Sequence, residues 1–179
     1  KLHDDIVAAF TSNFVSTNGT IRGDTQTAYI LALQFDLLPE SLRAEAARRL
    51  AANVETNGHL TTGFVGVGLI CPALTRADRS DLAWRLVLTD TYPSWLFSVK
   101  NGATTVWERW DGWTPDRGFQ DPGMNSFAHY SFGAVYGWMV ECLGGIRSAE
   151  PGLGRLLIQP TFDPALDRCR VLYDSIRGP

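Results

Sequence analysis

Gln26-Thr27-Ala28-Tyr29-Ile30-Leu31-Ala32-Leu33 is followed, after a short break, by Pro39-Glu40-Ser41-Leu42-Arg43-Ala44-Glu45-Ala46-Ala47-Arg48-Arg49-Leu50, and the contrast between the two decides the fold. The first stretch, capped by Asp24 or Thr25 and extending to about Leu38, is apolar on nearly all sides, as expected of a helix buried on more than one face. In the second, Leu42, Ala46, Leu50 and Val54 recur every four residues, while Arg43, Glu45, Arg48 and Arg49 occupy the other side. Glu45 stands four residues before Arg49 in the favourable order, and Pro39 suits the helix start, so this is an amphipathic outer helix. The alternation then repeats. After Gly58, residues Thr62 to Leu74 are again nearly all apolar, with Gly63, Gly66 and Gly68 permitting close backbone approach and Pro72 expected to kink or end the helix. Thr75-Arg76-Ala77-Asp78 reads as a capping-box variant with Asp in place of Glu. It would open a helix with Leu82, Ala83, Leu86 and Val87 on one face and Arg79, Asp81 and Arg85 elsewhere.

Buried helix, amphipathic helix, buried helix, amphipathic helix describes two concentric layers, which an α/α toroid satisfies. A four-helix bundle needs only one apolar stripe per helix, and no period of about 30–45 residues with matching residues marks a helical repeat array. Outward from this centre, residues 4–14 read as the end of a helix, and Ser16-Thr17-Asn18-Gly19 as a turn. A short helical segment spans Pro93 to about Asn101, and a polar, aromatic loop runs to about Gly123. Asn125-Ser126 is placed to cap a last long helix, Phe127 to Leu143, closed by Gly144-Gly145. After Gly152-Leu153-Gly154, the segments Leu156-Leu157-Ile158-Gln159-Pro160 and Arg170-Val171-Leu172-Tyr173 read as strands separated by Asp163-Pro164. Two strands do not make a stable sheet alone. The expectation is therefore a helical domain over residues 1–148 and the start of a strand-rich one over 149–179, in a chain that is a fragment of something longer.

Composition narrows the function. Of 179 residues, 45% are hydrophobic and 20% charged, the balance of an ordinary folded domain rather than a disordered or collagen-like chain. The net charge of −3 argues against a nucleic-acid partner, which calls for a clustered basic face. Gly66, Gly68, Pro72 and Glu141 interrupt the apolar stretches well short of the roughly 20 residues of a membrane span, so no membrane partner is expected. No apolar h-region follows Lys1-Leu2-His3-Asp4-Asp5, although a leader removed before Lys1 would leave the same picture. Cys71, Cys142 and Cys169 are odd in number and lack ligand spacing, so they read as structural rather than as a zinc site, and they favour a reducing, cytoplasmic compartment over a secreted one.

The six Trp residues are unevenly spread, four of them falling between Trp95 and Trp113. Within that span, Asn101-Gly102-Ala103-Thr104-Thr105-Val106-Trp107-Glu108-Arg109-Trp110-Asp111-Gly112-Trp113 sets a carboxylate between two indoles, with Arg109 and Asp111 beside it. Carbohydrate sites use such parts: the apolar face of a pyranose packs on a flat ring while carboxylates and guanidinium groups meet its hydroxyls. A carboxylate close to indoles is also partly desolvated, which suits it to proton transfer. An ordinary alternative puts the indoles in the core and makes Glu108–Arg109 a surface pair.

The chain resembles the catalytic domain of inverting bacterial α-L-rhamnosidases, glycoside hydrolases with an (α/α)6 barrel. The resemblance rests on Thr25-Gln26-Thr27-Ala28-Tyr29, His59-Leu60-Thr61-Thr62-Gly63-Phe64-Val65-Gly66, Tyr92-Pro93-Ser94-Trp95, Gly102 through Gly112, Asn125-Ser126-Phe127-Ala128-His129-Tyr130 and Ile158-Gln159-Pro160, which occur in the family's order from about residue 25 onward. It implies a partial (α/α)6 toroid followed by the first strands of a C-terminal β-sandwich. It also implies that Glu108 is the general base that activates the attacking water and that His129 contacts a sugar hydroxyl. Trp95, Trp107 and Trp110 become candidates for the pocket wall and Arg109 for a substrate contact; His59 is left structural. For His129 the alternative is a histidine near a helix N-terminus bonded to the backbone. The implied substrate is a rhamnose-containing glycoside, with no metal and no cofactor.

One departure matters. An inverting glycosidase needs a second carboxyl group, roughly 6.5–9.5 Å from the base, to protonate the leaving oxygen. In this family that acid comes from a segment upstream of anything matched here, and nothing marks Asp111, Asp116 or Asp121 as its substitute. The chain is therefore expected to depend on a missing N-terminal portion of the same protein and to be inactive alone. Rival readings are a non-catalytic sugar-binding or scaffold module, and another toroidal glycosidase or lyase with a different sugar preference.

Overall fold

A computed structural model describes residues 1–178, whose backbone forms two compact units, Lys1–Gly133 and the residues from Ala134 onward. The first unit carries α1 (Leu2–Phe14), α2 (Gln26–Gln34), α3 (Glu40–Asn57), α4 (Val67–Arg76), α5 (Ser80–Leu88) and α6 (Trp95–Lys100). Helices α2 and α4 pack on each other, and each packs on its successor, α3 or α5. This is the two-layer arrangement that the alternating hydrophobicity predicts. No residue of α2 is exposed, whereas α3 buries Ala46, Leu50, Ala51 and Val54 and leaves its charged side outward. In α5 the buried stripe is Leu82, Ala83, Leu86 and Val87, with Trp84 added.

Local chemistry sets the helix ends. Thr25 is the cap of α2: its backbone is extended and its hydroxyl accepts a hydrogen bond from the Ala28 N–H. Asp24 instead takes a left-handed conformation and accepts a hydrogen bond from the phenol of Tyr29. Helix α3 stops at Gly58, whose φ of 73° suits a residue without Cβ.

Several helix boundaries differ from expectation. Helix α2 ends at Gln34 rather than Leu38, because Asp36 turns the chain with a φ of 52°; Leu38 is buried outside the helix. The apolar run from Thr62 becomes helical only at Val67, its first part being spent on turns. Of the two effects expected of Pro72, a kink or an end, the end is not found: Pro72 lies inside α4, which continues to Arg76. Thr75-Arg76-Ala77-Asp78 is therefore not a helix start: Thr75 belongs to the last turn of α4, Asp78 is left-handed at a φ of 56°, and α5 opens at Ser80 without a side-chain cap.

The expected long helix from Phe127 to Leu143 does not form as one element. Residues 127–130 are non-helical. A 3-10 turn covers Ser131–Ala134, α7 is Val135–Trp138, and a π-helical turn covers Met139–Leu143. The loop after α6 contains a small antiparallel hairpin of β1 (Trp113–Thr114) and β2 (Gly118–Phe119). In the second unit, β4 (Leu156–Ile158) pairs with β3 (Ile146–Ser148), a strand the sequence did not suggest. Arg170–Tyr173 pairs with no strand among the described residues. Residues 169–172 instead border a cleft against Tyr136, Met139, Val140 and Leu143, and a Cβ at Gly144 would stand 2.8 Å from Val171 Cγ2.

Candidate active site

The loops of the first unit are tied to the helical layers by polar groups that helices alone would leave unused. Gln26, fully buried at the start of α2, donates from Nε2 to the His59 carbonyl at 3.0 Å and accepts from the Thr61 N–H at 2.8 Å. The hydroxyls of Thr27 and Thr62 meet at 2.7 Å. Gly66 is obligatory there, since a Cβ would sit 2.3 Å from Thr62 Oγ1. These contacts fix residues 59–66, and the Thr62 carbonyl then accepts a hydrogen bond from the indole N–H of Trp110 at 3.0 Å.

An aromatic cluster forms on this support. Ser94 caps α6, its hydroxyl accepting from the Phe97 N–H. Trp95, the first residue of that helix, donates its indole N–H to the Phe132 carbonyl at 2.8 Å. The ring of Trp110 stacks on Phe132 at 3.8 Å and receives Trp95 edge-on at 5.5 Å. Trp107 is 7% exposed and meets Phe127 edge-on at 5.3 Å. Trp107 is thus a core residue of the loop, while Trp95 and Trp110 are half-buried.

Glu108 and His129 are brought together by backbone pairing between two loop segments. The Glu108 N–H donates to the Ser126 carbonyl at 2.9 Å, and the His129 N–H donates to the Val106 carbonyl at 2.8 Å. The Ser126 N–H in turn donates to Oε2 of Glu108 at 2.8 Å. Where a helix start was expected, the donors of Ser126 and His129 are thus paired across the loop. Glu108 is half-buried, and no ion pair engages it among the described residues. The His129 ring lies 5.7 Å from that of Phe64 and stacks on Tyr130 at 5.2 Å. Its Nδ1 accepts from the Ser131 N–H at 3.4 Å, so the neutral ring carries its proton on Nε2, a donor suited to an acceptor oxygen.

Arg109 does not pair with Glu108. Its guanidinium forms a two-point bridge with Asp111, at 2.9 and 3.1 Å. That hydrogen-bonded guanidinium holds the Asp111 carboxyl below the usual carboxylate range against the opposing effect of burial. Asp116, which is exposed, is also shifted down, chiefly by the nearby Thr114 hydroxyl. Asp121 accepts from the Gly123 N–H at 2.8 Å. Proton donation to a leaving group needs a carboxyl shifted upward, so Asp111 and Asp116 are shifted the wrong way. His59 is half-buried with Nδ1 2.9 Å from the Leu60 carbonyl, a structural placement.

Sequence reasoning missed Ser126, Asn125, Phe64 and Phe132 as parts of this site. Asn125-Ser126 carries a capping pattern, and nothing local distinguishes a cap from a residue whose N–H holds a distant carboxylate. Ser126 does accept a local bond from the Ala128 N–H, but this closes a turn instead of opening a helix. A cavity of about 710 Å³ lies elsewhere, between α3 and the ends of α2 and α4, and none of residues 92–133 lines it. No group of three or more His, Cys, Asp and Glu is arranged to hold a metal among the described residues. Likewise, no helix there is long and apolar enough to cross a membrane.

Residues 1–143 match the bacterial alpha-L-rhamnosidase 6 hairpin glycosidase domain. An alpha-L-rhamnosidase of Streptomyces avermitilis is 42% identical over 172 residues, 96% of this chain but 17% of the relative. Another, from Alteromonas sp. (strain LOR), is 41% identical over 164 residues, 90% of this chain and 18% of the relative. The crystal structure of the Streptomyces avermitilis enzyme complexed with L-rhamnose aligns with a TM-score of 0.86 at 43% identity, covering 89% of this chain and 16% of that one. Native α-L-rhamnosidase from Aspergillus terreus aligns with a TM-score of 0.83 at 36% identity, again over 89% of this chain and 19% of the other. Paired helical layers carrying an acidic, aromatic loop set are thus those of a toroidal helical-hairpin glycosidase. The chain belongs to the bacterial α-L-rhamnosidase six-hairpin glycosidase family, and it spans about a sixth of the length of the relatives it matches.

Proposed function

We propose that the protein carrying this chain hydrolyses terminal α-L-rhamnosyl groups with inversion, and that Glu108 is its general base. The observation that carries this reading is the setting of Glu108: half-buried, engaged by no cation among the described residues, and anchored at one carboxylate oxygen by the Ser126 N–H. A carboxylate held in this way is aimed, and it can take a proton from water without first breaking a salt bridge. The water oxygen attacks the anomeric carbon as the glycosidic bond breaks, and a carboxylic acid protonates the departing oxygen. The acid is assigned, as the family resemblance implies, to a part of the protein outside this chain, and the downward shifts of Asp111 and Asp116 accord with that assignment. His129, with its donor at Nε2, is assigned to a rhamnose hydroxyl. Trp95 and Trp110 are assigned to the wall that meets the sugar's apolar face and C6 methyl, and Trp107 to supporting that wall.

Arg109 contributes through Asp111, as a bridge that stiffens the loop beyond Glu108. The experiment is hydrolysis of an aryl α-L-rhamnoside by the full-length gene product, followed by proton NMR during the first minutes. Rhamnose appearing first as the β-anomer supports the reading. Rhamnose appearing first as the α-anomer, or no release of rhamnose, overturns it.

A further inference from the structure

Asn125 lies one residue before the N–H that holds Glu108, and its amide is locked to the opposite side of the loop. Nδ2 donates to the Gly112 carbonyl at 2.9 Å and reaches the Gln120 carbonyl at 3.4 Å. Oδ1 is buried and accepts no hydrogen bond among the described residues. It fits only because residue 112 is glycine, since a Cβ there would stand 2.8 Å from it. The φ of Gly112 is not in the left-handed region, so its lack of a side chain serves the close approach and not the backbone conformation. Gly112 also donates its N–H to the Arg109 carbonyl and accepts from the Gln120 N–H at 3.1 Å, which makes it the joint of the loop that follows Glu108.

We infer that Asn125 and Gly112 form a lock that positions the Glu108 carboxylate: the Asn125 amide fixes where the Ser126 N–H stands, and that N–H fixes Oε2. This rests on the general-base reading of Glu108. Asn125 is a positioning residue; it acts on the reaction through Glu108 alone. The chain of contacts is short and covalently continuous at its middle step, so displacement of the amide moves the Ser126 donor. Misplacement of a catalytic group by about 1 Å costs on the order of 100-fold in rate, which sets the scale.

The test is a double-mutant cycle in the full-length gene product, with an activated aryl α-L-rhamnoside as substrate and rhamnose titration as a separate measure of binding. Asn125→Ala is expected to lower kcat by about 10- to 100-fold while KM and rhamnose affinity stay within about twofold. Gly112→Ala should give the same pattern by expelling the Asn125 amide. Because both act through one carboxylate, neither should lower kcat further in a Glu108→Gln background, where effects of residues acting as a unit cease to add. Gly112→Ala should also cost little once Asn125 is already Ala, since the crowding atom is gone. Full additivity of either substitution with Glu108→Gln overturns the inference, and so does a loss carried by KM and rhamnose affinity. If Asn125→Ala fails to fold, Gly112→Ala alone carries the cycle, and failure of both to fold contradicts a positioning role separable from structure. A Glu108→Gln protein with undiminished kcat refutes the general-base reading itself, a different outcome from additivity.

Discussion

The helical layers between Gln26 and Leu88 and the loops between Asn101 and Gly133 are held together by different forces. In the layers, Ile30, Leu50, Val54, Ile70, Leu74 and Leu86 are almost fully buried, and apolar contact fixes the arrangement. In the loops, the fixed points are directed bonds: Trp110 to Thr62, Trp95 to Phe132, Ser126 to Glu108 and Asn125 to Gly112. Apart from polar ties such as those of Gln26 and Thr27, the layers depend on the size and polarity of their side chains, whereas the loops depend on particular donors meeting particular acceptors. A site that must aim one carboxylate gains from the second kind of construction and rests on the first.

That contrast can be broken or sharpened experimentally. The largest effect concerns completeness: the isolated 179 residues should release no p-nitrophenol from an aryl rhamnoside under conditions where the full-length gene product does. Turnover by the isolated chain would mean that the acid lies within it. Within the layers, Leu50→Ala should lower stability by about 2–5 kcal/mol, read from urea unfolding, by removing a fully buried side chain. A cost well under that range would show the packing to be loose enough to collapse. Within the loops, Trp110→Phe keeps a ring beside Phe132 but leaves the Thr62 carbonyl without its donor. It should cost roughly 1–3 kcal/mol in the same assay, and kcat should fall by more than that stability loss explains.

The smallest effect is on pH dependence. Asp111 titrates below its unfolded value because Arg109 holds its charged form. The stability it contributes is therefore full above the unfolded carboxylate pKa of about 3.9 and is lost as pH falls through the lower folded value. Asp111→Asn should flatten the acid limb of the stability curve by removing the small stability that the charged carboxylate contributes at neutral pH, so that variant and wild type converge in acid. A steeper acid limb in the variant would reverse the sign of this assignment.

The same division explains what the sequence disclosed. The four-residue recurrence of Leu42, Ala46, Leu50 and Val54 and the unbroken apolarity of Ala28 to Leu33 are local consequences of helix geometry, so the two layers were legible. The extent of α4 was less so, because Pro72, a signal for a helix end or kink, lies inside a helix that runs on to Arg76. Asn125-Ser126 was misread as a cap because the same side chains serve helix starts and loop locks. What distinguishes the two is an acceptor 13 or 18 residues away, at Gly112 or Glu108. Strand β3 escaped for a related reason, since Ile146–Ser148 becomes a strand only through its pairing with Leu156–Ile158. Glu108 itself stood out by composition, as a carboxylate between indoles. Its anchoring, and the diversion of Arg109 to Asp111, could be seen only in three dimensions.

Two carboxylates three residues apart in the chain carry opposite assignments, one held by the Ser126 N–H with no cation on it among the described residues, the other bound to a guanidinium. The most direct measurement is kcat of the Glu108→Gln and Asp111→Asn variants side by side, in the full-length gene product, with rhamnose affinity measured by titration. The account predicts that Glu108→Gln lowers kcat by about 10²–10⁴-fold with rhamnose affinity preserved, while Asp111→Asn changes kcat far less. Near wild-type turnover by Glu108→Gln, or a loss of that size in Asp111→Asn instead, would contradict it.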